Sequence, residues 1–229
     1  RKLTLGAEDD VLIAEICRRR FRGAYGERLD GGLSLIRSQV ETRMGDILGY
    51  HRARLAGITI QECEHELAAP LTTRFGTTGL KGKIDRIDRR SDGILILDYK
   101  TGAAAGKPNN GKFSLDSRAQ WHKTVKSFQL PMYLILYRHN NPPRRAAPAA
   151  EINSALMLLG GTAIEEKPLF GRKDDREKLF GEYKRAITIL IEEIMDPDVS
   201  FSPAPDPDAQ CPNCGYKTPC GRQWMRAGR

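Results

Sequence analysis

The chain has 229 residues with a formal net charge of +8, and 40% of its residues are hydrophobic and 29% charged. A chain of this length and apolar content can bury a substantial core, which excludes disorder throughout. The longest unbroken apolar run, Met132 to Tyr137, is too short to span a membrane, and no secretory signal opens the chain. The surplus of positive charge favours a polyanionic partner such as nucleic acid.

Hydrophobic periodicity and turn residues predict an alternation of helices and strands. In chain order, we expect helices over 7–21 and 33–56, strands over 58–71, 79–89 and 94–100, a helix reaching about 138, strands over 151–159 and 163–169, and a helix over 174–195. The helix that reaches 138 should begin close to Pro131, with Ser127 as its cap, because proline is not tolerated deep inside a helix.

The strand over 94–100 is the best indicator of the fold. Its four consecutive aliphatic residues, Ile94 to Leu97, indicate burial on both faces, as in a central strand of a covered sheet. The preceding Ser91-Asp92-Gly93 is typical of a hairpin. We therefore expect an α/β fold with a central mixed β-sheet flanked by helices. Its parts would be an N-terminal helical segment (1–57), a core (58–195), and a proline-rich linker with a C-terminal cysteine-rich appendage (196–229).

Three of the five cysteines crowd near the C-terminus. Cys211, Cys214 and Cys220 have the spacing C-x2-C-x5-C in a stretch rich in glycine and proline, where thiolates can converge on one metal ion or cluster. The odd number of cysteines without a secretory signal argues against a disulfide framework and for a reducing, cytoplasmic location. The remaining two, Cys17 and Cys63, lie alone in apolar-periodic segments and are expected to be small buried residues.

Charged residues at the end of the aliphatic strand are the strongest chemical signal. Asp98 and Lys100 are two apart on a strand, so their side chains leave the same face. Asp85 lies on the preceding strand, across the hairpin, and can reach the same place. This set of residues suits Mg²⁺-assisted phosphodiester hydrolysis. The two carboxylates would hold the cation, and the lysine would stabilise the developing charge. The alternative is a structural ion pair between Asp98 and Lys100, with Asp85 as a satisfied turn residue.

Three other acidic residues lie close enough in sequence to be considered. Asp88 is the rival to Asp85, but it points to the other face if the strand is regular, so Asp85 is preferred. Glu64 and Glu66 lie on the strand before it and could offer a further acidic ligand. We expect them to be solvated strand charges.

These motifs together resemble the PD-(D/E)XK nuclease superfamily, and within it the RecB-like branch with its AddB-type and CRISPR-associated relatives. The resemblance covers roughly residues 58–221. The matching stretches are Gly82-x-x-Asp85-Arg86-Ile87-Asp88, Leu97-Asp98-Tyr99-Lys100-Thr101-Gly102, Gln129-Leu130-Pro131-Met132-Tyr133 and the C-terminal cysteines. It implies a restriction-endonuclease-like core in which Asp85, Asp98 and the main-chain carbonyl of Tyr99 bind the metal and Lys100 is catalytic. It also implies that Gln129 and Tyr133, one helical turn apart, complete the catalytic group.

The resemblance implies two kinds of cofactor. The nuclease site would use Mg²⁺ or Mn²⁺, and the cysteines would hold a [4Fe–4S] cluster that staples the C-terminus, with zinc as the alternative in an isolated fragment. In relatives, a fourth cysteine from far upstream completes the cluster, and Cys17 is the candidate here. Relatives also carry a metal-binding His or Glu on an earlier helix, for which His51 is the candidate, although it lies late in its helix. The chain begins with Arg1 rather than Met, so we expect a piece of a larger protein, which leaves room for both elements upstream.

The function implied is that of a Mg²⁺-dependent deoxyribonuclease, the exonuclease domain of a bacterial helicase–nuclease that repairs double-strand breaks. The phosphate-loop pattern G-x4-G-K-S/T is absent from the sequence, so a helicase subunit or domain would supply the motor. Two alternatives remain: a free-standing RecB-like nuclease of phage or CRISPR adaptation type, and a catalytically silent nuclease-like module that only binds DNA.

Two groups of basic residues are candidates for DNA contact. The loop after the third strand carries lysines interleaved with rings, a composition suited to a single strand with stacked bases. Its members are Lys107, Lys112, Lys123 and Lys126, with Trp121, His122 and Phe128. Two arginine runs, Arg18–Arg22 and Arg144-Arg145, could also track phosphates, although helix ends carry such runs routinely.

Overall fold

The structure is a computed structural model that describes residues 6, 8–54, 57–102, 106, 109–142, 151–201, 206–212 and 214–224. Two helices come first, α1 (Glu8–Tyr25) and α2 (Gly31–Arg52), and three strands follow, β1 (Thr59–Thr73), β2 (Gly76–Arg90) and β3 (Gly93–Lys100). The short α3 (Trp121–Thr124) precedes α4 (Gln129–Asn140), and the rest comprises β4 (Ile152–Leu158), β5 (Glu165–Pro168), α5 (Arg176–Met195) and α6 (Pro207–Gln210).

The strands form one mixed sheet in the order β1-β2-β3-β4-β5. All neighbouring strands are antiparallel except β3 and β4, which are parallel and are connected by the segment that contains α4. A parallel pair needs such a crossover, and here its helix packs across β1, β2, β3 and β4. The predicted α/β fold with a mixed sheet is therefore confirmed.

The core lies between helices α4 and α5 and one face of this sheet. We call that face of the sheet the α4 face. Ile94 and Ile96 of β3 contribute to this core, whereas Leu95 and Leu97 point to the opposite face, where Tyr50 of α2 packs. That opposite face is called the α2 face. The expectation that β3 is buried on both faces is confirmed, and each such aliphatic side chain stabilises the fold by about 1.5–3 kcal/mol.

Side-chain caps explain where two helices begin. Asp30 accepts a hydrogen bond from the main-chain N–H of Leu33 at 2.7 Å, which starts α2 two residues earlier than predicted. Asp175 accepts likewise from Lys178 at 3.1 Å, which starts α5. Helix α4 begins two residues before Pro131, in the first turn where proline costs no hydrogen bond.

Several predicted element limits were wrong. The cap position of α4 is Phe128, not Ser127, whose hydroxyl instead accepts from the N–H of Gln129 at 3.2 Å. Helix α2 ends at Arg52 rather than residue 56. Strands β1 and β2 each run for 15 residues and form a hairpin longer than predicted. Their two-residue turn is held by the Thr73 hydroxyl, which donates to the carbonyl of Gly76 at 2.8 Å.

The turn between β2 and β3 requires glycine. Gly93 has φ +134°, and a Cβ atom there would lie 2.0 Å from the main-chain oxygen of Glu151. That oxygen accepts a hydrogen bond from Ile94 at 2.8 Å, which aligns β3 with the start of β4. The predicted hairpin at Ser91-Asp92-Gly93 is therefore confirmed.

Helices α1 and α2 pack against each other, and Arg43 attaches α2 to the segment that follows β4. Arg43 donates from Nε to the carbonyl of Leu159 at 2.6 Å and from a terminal nitrogen to that of Gly161 at 2.8 Å. None of the described helices has both the length and the apolar content needed to cross a membrane. The division at residues 57 and 195 stays a prediction.

Candidate active site

Asp98 is a carboxylate buried on the α4 face of β3. Strand alternation places Ile96, Asp98 and Lys100 on this face, and only 2% of Asp98 is exposed. Its Oδ1 accepts a hydrogen bond from Nε2 of Gln129 at 2.7 Å, and its Oδ2 lies 2.7 Å from Nζ of Lys100. The carboxylate is thus held by one residue of its own strand and one of α4.

Gln129 joins the acid to the lysine. Its Oε1 accepts from Nζ of Lys100 at 2.8 Å, while its Nε2 donates to Asp98 and to the hydroxyl of Tyr133 at 2.8 Å. Tyr133 lies one turn further along α4, and its hydroxyl donates to the carbonyl of Lys83 on β2 at 2.9 Å. The i and i+4 residues of α4 therefore share one face and connect β2 to the end of β3.

Asp85 reaches the same place from β2. Its Oδ2 accepts from the main-chain N–H of Tyr99 at 2.7 Å, one residue beyond Asp98. The last pair of the β2–β3 ladder is Arg86 with Leu97, so this contact lies beyond the regular hydrogen bonds between the strands. The structure brings together Asp85, Asp98 and Lys100, as the motif spacing predicted.

The alternation of β2 is broken next to Asp85. Ile84 and Ile87 both enter the core on the α4 face although they are three residues apart. On the neighbouring strand β1, Glu64 has φ +53°, and the pairs on either side of it join Cys63 to Arg86 and His65 to Ile84. The positive φ of Glu64 therefore lies beside the place where the residues of β2 stop alternating between the two faces of the sheet. Sequence periodicity alone does not reveal this break.

Asp88 faces the other side of the sheet. It is fully buried on the α2 face and accepts from Arg86 at 2.6 and 2.9 Å and from Arg90 at 3.4 Å. Arg90 in turn donates to Glu166 of β5 at 3.0 and 2.7 Å. The structure thus places Asp88 in an ion-pair network, away from Asp98.

The other two acidic candidates are exposed. Glu64 pairs with Nζ of Lys83 at 2.6 Å, and Glu66 is exposed on the same strand. This agrees with the expectation that both are solvated strand charges.

Burial raises the pKa of two residues of the candidate site. It raises the pKa of Asp98 above its usual range, and the neighbouring Lys100 ammonium partly opposes the shift. Burial also raises the pKa of Tyr133 to about 12, so its phenol stays protonated and can donate. A cation near Asp98 would favour the ionised carboxylate in the same way as Lys100 does.

The oxygen atoms present fit a hard divalent cation. Oδ2 of Asp98 is buried, and apart from its ion pair with Lys100 no hydrogen bond reaches it within the described residues. Tyr99 directs its N–H at Asp85, and the N–H and C=O of one strand residue point to the same neighbour, so its carbonyl faces this side too. Mg²⁺ is commonly bound by one or two carboxylates with water completing the shell.

His51 does not join these residues. It lies on the α2 face, where its Nε2 is 3.4 Å from a terminal nitrogen of Arg86. Burial and the Arg86 guanidinium lower the pKa of His51 to about 4, with Arg90 adding to the shift and Asp88 and Glu166 opposing it.

This shift predicts how stability depends on pH. An unfolded histidine has a pKa of about 6.5, so between about pH 6.5 and 4 the unfolded chain binds a proton that the folded chain does not. The free energy of unfolding should therefore fall as the pH falls through that window. We expect urea denaturation at pH 7 and pH 5 to show a smaller difference for His51→Gln than for the wild type. The exposed His139→Gln serves as control, and an unchanged pH dependence in His51→Gln would count against this assignment.

The cysteine cluster stays a prediction. Cys211 is buried, Cys214 half-buried and Cys220 exposed, and all are free thiols. Within the described ranges, no three His, Cys, Asp or Glu side chains are grouped so that they could hold a metal ion. Cys17 is half-buried near Glu41. The expectation that Cys63 is buried was wrong, because it lies on β1 at the edge of the sheet and is exposed.

The loop proposed for DNA contact is partly core. Trp121 is only 3% exposed and donates from Nε1 to the carbonyl of Ser114 at 2.8 Å. It packs near Phe113 and Phe128, so the expectation that the Trp121 ring is free to stack on a base was wrong. DNA contact by the rest of this loop stays a prediction. Three of the four lysines are exposed, namely Lys112, Lys123 and Lys126. Lys107 and Arg144-Arg145 lie outside the described residues, and Arg18 pairs with Glu41 at 3.5 Å.

The architecture and the site together define a class. A five-stranded mixed sheet flanked by helices, with an acidic pair and a lysine where β3 ends, is the arrangement of restriction-endonuclease-like α/β proteins. A family model of the PD-(D/E)XK nuclease superfamily matches residues 3–221, so the chain belongs to that superfamily. Its members are typically nucleases and generally use divalent metal ions.

Comparisons with individual proteins add little. The solved structure titled "Crystal structure of SSO0001" is similar over 92% of this chain and 85% of its own, with 15% sequence identity and a TM-score of 0.40. A search of curated proteins finds no match. The subtype within the superfamily therefore stays a prediction.

Proposed function

We propose that the chain is a Mg²⁺-dependent deoxyribonuclease whose site consists of Asp85, Asp98, Lys100, Gln129 and Tyr133. The observation that carries this proposal is the arrangement in which one Gln129 amide binds both the buried Asp98 carboxylate and the Lys100 ammonium. A purely structural ion pair does not need a third residue that fixes both partners. A catalytic site does need one, because the Asp98 carboxylate and the Lys100 ammonium must be held in one orientation.

The residues divide into those that hold a cation and those that act on the substrate. Asp85, Asp98 and the Tyr99 carbonyl would hold Mg²⁺ or Mn²⁺. Such an ion, when bound, polarises a phosphate and lowers the pKa of a water molecule. About a third of the Lys100 side chain is exposed, 34%, so its ammonium can turn from Asp98 towards a phosphate or an attacking water.

Gln129 and Tyr133 keep the lysine and the acid in place. Gln129 accepts from Lys100, which leaves the ammonium with further protons to donate, as an ammonium has three. The Tyr133 phenol, protonated at neutral pH, ties α4 to β2 through Lys83. Both residues therefore limit how far Lys100 and Asp98 can separate when a cation enters.

The finer role is supported by the motif resemblance alone. The proposal is an exonuclease domain of a bacterial helicase–nuclease in double-strand break repair, with DNA as substrate and a helicase subunit or domain as partner. In the full-length protein, Cys211, Cys214 and Cys220 would hold a [4Fe–4S] cluster, or zinc in an isolated fragment. A cytoplasmic location belongs to the same proposal, since free thiols persist in a reducing compartment.

The test is cleavage of end-labelled single- and double-stranded DNA with Mg²⁺, with Mn²⁺ and with EDTA. We expect metal-dependent cutting that falls at least about a hundredfold in Lys100→Met, because the variant loses the charge that steadies the reacting phosphate. The control is Lys184→Met, which removes an exposed lysine from α5. Equal cutting by Lys100→Met would exclude this site, and DNA binding without cutting by the wild type would favour a silent binding module.

A further inference from the structure

A network of charged side chains crosses the α2 face, behind the candidate site. Arg86 and Asp88 form a paired hydrogen bond at 2.6 and 2.9 Å, and Arg90 connects Asp88 to Glu166 of β5. We call these four residues the Arg86 network. It extends from β2 to β5 beneath β3 and β4, and Arg86 and Asp88 are 5% and 0% exposed. Because both charges must be desolvated, such a buried pair adds little net stability compared with apolar side chains, although removing one partner alone is strongly destabilising.

Tyr99 connects this network to the site on the opposite face. Its hydroxyl accepts a hydrogen bond from a terminal nitrogen of Arg86 at 3.2 Å on the α2 face. Its main-chain N–H donates to Asp85 at 2.7 Å. One residue therefore touches the network with its side chain and the candidate metal site with its backbone.

On the side that faces β2, the orientation of the Tyr99 peptide depends on contacts other than regular strand pairing. The β2–β3 ladder ends at Arg86 and Leu97, so no regular ladder pair with β2 fixes how Tyr99 faces Asp85. On its other side, Tyr99 pairs with Met157 of β4. The guanidinium of Arg86 is itself held rigidly, because a fork with two hydrogen bonds to one carboxylate leaves it little freedom.

We infer that Arg86, acting through the Tyr99 hydroxyl, is a positioning residue for the metal site. It sets the orientation of the Tyr99 peptide, whose N–H holds Asp85 and whose carbonyl faces the cation. This inference rests on the proposed function, since it concerns the same site. Hydrogen-bond partners outside the ligand shell commonly change metal affinity by about 10- to 100-fold when they are removed.

The test is Tyr99→Phe, which removes the hydroxyl and keeps the ring. The control is Tyr50→Phe, which removes a hydroxyl on the same sheet face that makes no hydrogen bond within the described part of the chain. Mn²⁺ affinity is measured by isothermal titration calorimetry, thermal unfolding is followed in parallel, and DNA cleavage is titrated with Mg²⁺.

We expect Tyr99→Phe to bind Mn²⁺ about tenfold more weakly and to need about tenfold more Mg²⁺ for half-maximal cutting. Both variants should stay folded, which the thermal unfolding curves check, and Tyr99→Phe should melt somewhat lower because the buried Arg86 loses an acceptor. Unchanged Mn²⁺ affinity in Tyr99→Phe would overturn the inference, and so would an equal loss in Tyr50→Phe. A wild type that binds Mn²⁺ but does not cut DNA would count against the proposed function and leave the calorimetric result valid for the inference.

Discussion

Replacement of Asp98 by Asn is expected to slow metal-dependent DNA cleavage by about a thousandfold while the protein stays folded. The substitution removes a negative charge that, on the proposed function, holds the cation and orients Lys100. Loss of a preorganised electrostatic contact of this kind lowers the rate by a factor on the order of 10³. The measurement is single-turnover cleavage at saturating Mg²⁺, compared with the wild type.

The fold should tolerate this change. Burial raises the pKa of Asp98, so the folded state binds that proton more tightly than the unfolded state, and ionising the carboxylate weakens the fold as pH rises through its pKa. The neutral amide avoids this cost at neutral pH and its oxygen can still accept from Gln129. We expect the melting temperature to stay within about 4 °C of the wild type, which for a chain of this length corresponds to about 1 kcal/mol. Full cutting by a folded Asp98→Asn protein would contradict the assignment.

Replacement of Asp88 by Asn is expected to have the largest effect on stability. Asp88 is fully buried and is the charge partner of Arg86, which is also buried. Removing one partner of a buried pair leaves an uncompensated charge and lowers the free energy of unfolding by about 3–5 kcal/mol. Urea denaturation measures the difference directly.

The matched control is Asp92→Asn, in the exposed turn between β2 and β3. It should change the free energy of unfolding by less than about 0.5 kcal/mol. This pair of variants also decides between Asp85 and Asp88. If Asp88→Asn were as stable as the wild type but failed to cut at any Mg²⁺ concentration, Asp88 rather than Asp85 would be the second carboxylate of the site.

Local sequence pattern was sufficient for the part of the site that lies on regular elements. The side chains of Asp98 and Lys100 share a face because strand residues two apart always do, provided that the strand is regular. Gln129 and Tyr133 share a face of α4 for the corresponding helical reason. The glycine at 82 is explained by the same packing, since a Cβ there would lie 2.8 Å from Cδ1 of Leu136.

Long-range packing decided the features that the sequence did not predict. The change of face next to Asp85 coincides with the positive φ of Glu64 on another strand, so no local pattern of β2 contains it. The sequence around Trp121 is typical of an exposed loop, and only the packing of Phe113 and Phe128 near it in the folded chain explains its burial. Arg86, Asp88 and Arg90 alternate along β2 and so share one face, and this alternation of charges was the available signal for the Arg86 network.

In the proposed site, a divalent ion binds between Asp85 and Asp98, on the α4 face of the sheet. Crystals of the protein soaked in Mn²⁺ and measured for anomalous scattering test it most directly. We expect an anomalous peak within about 2.5 Å of both carboxylates and the Tyr99 carbonyl, and no such peak in Asp98→Asn crystals. A peak beside Asp88 on the α2 face, or DNA cutting by a protein whose crystals bind no Mn²⁺ between Asp85 and Asp98, would contradict it.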